Sequence, residues 1–72
     1  MTAKEKKAIL NELEAAYYQA FSYRKRNAEV VSLQTAYHAE KLAALCRSIG
    51  LEKEVDITIE YVNKLVYGGN NK

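Results

Sequence analysis

The 72-residue chain contains no proline, and its three glycines fall at positions 50, 68 and 69, so its first 49 residues hold none of the usual helix breakers. Apolar residues recurring at three and four then make the chain helical. Thr2-Ala-Lys-Glu5 fits a capping box, the Thr2 hydroxyl accepting from the Glu5 amide while the Glu5 carboxylate accepts from the Thr2 amide. Behind that cap, Ile9, Leu10, Leu13, Ala16, Tyr17, Ala20 and Phe21 draw one apolar stripe, the signature of an amphipathic helix.

The stripe meets Arg24-Lys25-Arg26-Asn27 and resumes at Val30 and Val31 with Leu33, Tyr37, His38, Leu42, Leu45 and Ile49. Positions 10, 13, 17, 20 and 24 share one heptad frame, whereas 31, 35, 38, 42, 45 and 49 share another. The disagreement means either a stutter in one long helix or a turn, and a break near residues 26 to 30 is the favoured reading, with Asn27 or Ser32 as the next N-cap. Gly50 sits where a left-handed residue closes a helix, followed by Leu51 to fold back on the last turn. After it, Leu51, Val55, Ile59, Val62 and Val66 keep helical spacing, with Ile57, Tyr61 and Leu65 alongside and Glu60 four residues before Lys64.

The expected fold is therefore all-α, a small three-helix bundle spanning about residues 3–26, 29–49 and 52–67, in a single domain 1–67 with a disordered tail 68–72. The alternative is one long bent helix plus a short C-terminal one. An unbroken helix reaching Gly50 would be about 70 Å long, too much stripe for the third helix to cover. Either form points to self-association, most simply a homodimer. The size argues the same way, because a chain this short buries only about 62% of its extended surface on folding.

Composition excludes whole classes of function. Eleven basic against nine acidic residues, a net +2, is too balanced for a protein that coats nucleic acid. No stretch approaches the roughly 20 apolar residues that span a membrane. A single cysteine forms no internal disulfide, and the first seven residues carry charge without an apolar run behind them, so a cytoplasmic location is expected. One His and one Cys cannot by themselves supply the three or four ligands of a metal site. His38 and Cys46, eight residues apart, lie about 12 Å apart along a helix and do not pair as base and nucleophile. His38 reads as an interior or interface imidazole and Cys46 as a small buried hydrophobe. No catalytic, cofactor or metal residues are assigned, and the chain is expected not to be an enzyme.

Six tyrosines are the least ordinary feature. A small interior cannot hold them all, and exposed tyrosines make large, rigid contacts with few rotors to freeze. The expected function is a small non-enzymatic protein–protein interaction module that works by occupancy, as inhibitor, adaptor or regulator. Its partner-binding residues would be Tyr17, Tyr18, Phe21, Tyr23, Arg24, Lys25, Arg26 and Tyr37. The alternative is a nucleic-acid-binding transcriptional regulator, possibly dimeric, using Lys4, Lys7, Arg24, Lys25 and Arg26, since residues 1 to 26 hold six basic groups and three acidic ones. A helix-turn-helix fitted to residues 40 to 65 fails on charge, because Glu52 to Glu60 has four acidic groups and one basic and would face phosphates with the wrong sign. Met1-Thr2 followed by Glu5-Lys6 and Ala8 is similar to the start of the plasmid-encoded Rop helical hairpin, a likeness that implies a capped helix and carries no assignment.

Overall fold

A computed structural model describes residues 1–68. They form three helices, α1 (Ala3–Lys25), α2 (Glu29–Ser48) and α3 (Glu52–Tyr67), packed up, down and up into a small three-helix bundle. Among the described residues there is no strand. Of the expected tail, Gly68 is the C-cap of α3, and 69–72 lie outside the described residues.

The capping box at Thr2 forms as read: the Glu5 amide donates to Thr2 Oγ1 at 3.1 Å and the Thr2 amide to Glu5 Oε1 at 2.9 Å. The break between α1 and α2 also forms, by a device the sequence reading missed. Asn27 is not an N-cap; it takes up φ 59°, the left-handed conformation that closes a helix. The Asn27 amide donates to the Arg24 carbonyl and the Ala28 amide to the Tyr23 carbonyl, both at 3.0 Å, satisfying two carbonyls left over at the end of α1. Ala28 is the N-cap of α2 and makes no side-chain cap bond, while Ser32 lies inside the helix.

The second turn repeats the first. Gly50, at φ 93°, donates its amide to the Arg47 carbonyl, and Leu51 donates to the Cys46 carbonyl, again at 3.0 Å each. Both connections are thus Schellman turns, with Asn27 and Gly50 in the left-handed position. The one-long-helix alternative is ruled out by this geometry, and the mismatch of heptad frames marks the first turn.

α1 lies at the centre of the packing and contributes Leu13, Ala16, Tyr17, Ala20 and Phe21 to the core. α3 runs parallel to it. Lys6 Nζ pairs with Glu54 Oε2 at 2.9 Å near their starts, and near their ends Lys25 Nζ donates to the Val66 carbonyl at 2.8 Å. Val55 and Val62 of α3 are fully buried, and Leu51 closes the core at the second turn. The Glu60 to Lys64 pair does not form; the ion pairs among the described residues are Lys6 with Glu54 and Arg47 with Asp56.

α2 departs furthest from expectation. Its inward face is Ala39, Ala43 and Cys46, with Ala36 and Leu42 partly buried beside them. Small side chains let α2 approach α1 closely. The residues read as its core stripe, Val30, Val31, Leu33, Tyr37, His38, Leu45 and Ile49, are instead exposed, leaving only Leu42 of that set against the core. Counting apolar spacing overlooked that alanines at 36, 39 and 43 carry the same periodicity on the opposite side of the helix.

Candidate protein interaction surface

The eight residues singled out for partner binding separate into distinct places. Tyr17 and Phe21 are buried, so the rings that began the aromatic cluster are core. Their centroids lie 5.6 Å apart and tilted, and Tyr67 extends the stack 6.0 Å beyond Phe21 while its hydroxyl donates to the Phe21 carbonyl at 3.3 Å. Burial raises the Tyr17 phenol's pKa; Glu40 nearby adds to that and Arg47 opposes it. Packing, rather than recognition, accounts for three of the seven aromatic rings.

Tyr18 is one position further round α1 and is 48% exposed. It stands beside Leu65 of α3, 51% exposed, and these two side chains form the ridge between two open concavities along the α1/α3 seam. The larger, about 700 Å³, continues past Ser22 and Tyr23 to Lys25 and Arg26; the other, about 600 Å³, reaches Asn11 and Glu14. Of the predicted set, the structure brings together Tyr18, Tyr23, Lys25 and Arg26. Tyr37 stands apart on α2, 65% exposed, with Lys41 Nζ 5.5 Å from its ring centre.

The basic segment is ordered by local contacts. The Arg26 guanidinium lies 4.9 Å over the Tyr23 ring, Arg24 lies 5.7 Å over Phe21, and Lys25 is held by the Val66 carbonyl. Arg24 and Lys25, in the last turn of α1, also complement the negative end of its dipole. The groove therefore has an apolar middle at Tyr18 and Leu65, a cationic end at Lys25 and Arg26, and a carboxylate at Glu14 on the other side.

Sequence reasoning missed Leu65. Its signal was the second stripe Ile57, Tyr61 and Leu65 beside the core stripe of α3, and all three side chains are more than half exposed. His38 is exposed on α2, which excludes the interior place from the expected pair of interior or interface. Cys46 is buried as read, and burial raises its thiol pKa, keeping it protonated and unreactive. Glu54 is held below the usual carboxylate range, chiefly by the hydrogen bond from Lys6. Among the described residues no three His, Cys, Asp or Glu side chains converge as a metal site would require, and no helix is long and apolar enough to cross a membrane. No known protein family, curated protein or solved structure matches the chain.

Proposed function

We propose that the chain is a non-enzymatic protein interaction module that self-associates and works by occupancy, as inhibitor, adaptor or regulator, docking its partner in the α1/α3 groove. The supporting observation is the Tyr18 and Leu65 ridge. Two large side chains, each about half exposed, stand together between concavities on the bundle's outer seam, where the core of this chain does not use them. A partner suited to this surface presents an apolar side chain to Tyr18 and Leu65 and an acidic group to Arg26, as an amphipathic helix with an acidic end does. A single buried cysteine is compatible with the reducing cytoplasm, where the reading places the protein.

The nucleic-acid alternative draws less support, because Lys25 is engaged with the end of α3 and both arginines lie over rings of their own helix. The test is affinity capture with the wild-type chain and the Tyr18→Ala chain as paired baits, followed by titration of any protein retained by the first and lost from the second. The expected loss is about 1 to 2 kcal/mol with unchanged helicity. Equal retention by both baits would remove Tyr18 and the groove from the reading. Affinity for nucleic acid that falls steeply with salt would replace the reading with its alternative.

A further inference from the structure

α2 wears its hydrophobicity inside out. The side chains it turns to the core are chiefly Ala36, Ala39, Ala43 and Cys46, while Val30 (68% exposed), Leu33 (73%), Tyr37 and Leu45 (63%) face away from it. On a helix, positions 30, 33, 34, 37, 41, 44, 45 and 48 lie within about 60° of one line, and the polar members of that strip are Gln34, Lys41 and Ser48. With the flanking Val31 and Ile49, the exposed apolar side chains present on the order of 600 Å². That is the upper end of what a soluble monomer carries, and close to the roughly 800 Å² each partner buries in a stable complex.

We propose that this face is a homodimer interface in which two α2 helices pack antiparallel about a two-fold axis level with residue 39. The proposal deepens the self-association put forward above and assigns it to a face other than the docking groove. The sequence of the strip chooses the occupant and its direction. A parallel pair would set Lys41 on the partner's Lys41, two like charges in a closing apolar seam. The antiparallel pair reverses the order about residue 39. It seats Leu33 over the partner's Ala44, level with the partner's Leu45, and brings the Lys41 ammonium level with the partner's Tyr37 ring, a contact of the kind each chain already makes within itself at 5.5 Å. Val30 then meets the partner's Ser48. Apart from Gln34, which comes level with the partner's Ala44 beside the partner's Leu45, the strip is self-complementary, as an isologous interface requires.

Light scattering after size exclusion tests the face, and disulfide trapping tests the direction. The wild-type chain should show a mass near twice its 8.2 kDa, Leu33→Glu should return it to the single-chain mass with unchanged helicity, and Ile57→Glu, on α3, should leave the dimer intact. Leu33 touches no core, so its charge does not unfold the bundle. With an added oxidant, the Val30→Cys/Ser48→Cys double variant should form covalent dimers and Val30→Cys alone should not; within one chain the two positions are about 27 Å apart along α2. A wild-type chain that stays at 8.2 kDa across a tenfold concentration range to millimolar overturns the dimer, and the groove still stands or falls by Tyr18→Ala. A dimer lost with Ile57→Glu and kept with Leu33→Glu overturns the face. Cross-linking by Val30→Cys alone overturns the antiparallel arrangement.

Discussion

Replacing Asn27 by alanine tests what separates α1 from α2. Asn27 holds φ 59°, and a residue carrying a β-carbon pays about 1 to 2 kcal/mol there, a cost asparagine partly offsets with its short polar side chain and glycine avoids. Asn27→Ala should therefore destabilise the bundle by about 1 kcal/mol, and Asn27→Gly should match or exceed the wild type. For a domain of this size, about 1 kcal/mol shifts Tm by roughly 4 to 8 °C. Alanine also favours continuing the helix, which would carry Ala39, Ala43 and Cys46 away from α1. Gly50→Ala is the control for the other turn. At φ 93° no atom lies within 4 Å of the added β-carbon, so the cost is that of the backbone conformation alone, again about 1 to 2 kcal/mol. Urea and thermal unfolding followed by circular dichroism at the helical band read all three variants. If the Asn27→Ala and Asn27→Gly chains unfold within about 0.3 kcal/mol of each other, a left-handed residue is not what closes α1, and the reasoning fails.

Leu13→Ala, at a fully buried position on the central helix, should cost about 2 to 5 kcal/mol, much of the roughly 4 to 11 kcal/mol available to a domain this small; urea unfolding checks it. The Cys46 thiol should react with an alkylating reagent only in denaturant, and stability should fall with rising pH. Burial raises the folded-state pKa of Cys46 and Tyr17, so above roughly pH 8.5 to 10 the unfolded chain releases protons first and is favoured. A flat stability profile from pH 7 to 10 would contradict their burial.

Much of the fold was legible because its signals are local. The Thr2 capping box, the α1 stripe and Gly50 each involve residues within one or two turns of one another, and all three formed as read. The first turn was located by the heptad mismatch, but its mechanism was hidden, since Asn is both a good N-cap and a tolerated left-handed residue, and only the backbone angle distinguishes the two. The facing of α2 was not legible at all. Its large apolar residues and its alanines follow the same period on opposite sides, and which side turns inward depends on how closely α1 must approach. The same ambiguity scattered the candidate site. Tyr17 and Tyr18 are neighbours in sequence, yet 100° of helix puts one in the core and the other on the groove. Leu65 became a surface residue of interest only once α3 lay parallel to α1.

Two apolar faces have different proposed fates, α2 covered by a second copy and the α1/α3 groove left open. Solvent paramagnetic relaxation of the leucine methyl groups, measured on the free chain at millimolar concentration, compares them in one experiment. If a second copy covers α2, the Leu33 and Leu45 methyls are shielded nearly as well as those of buried Leu13, while the Leu65 methyls relax strongly. Leu33 and Leu45 relaxing as fast as Leu65 would contradict it.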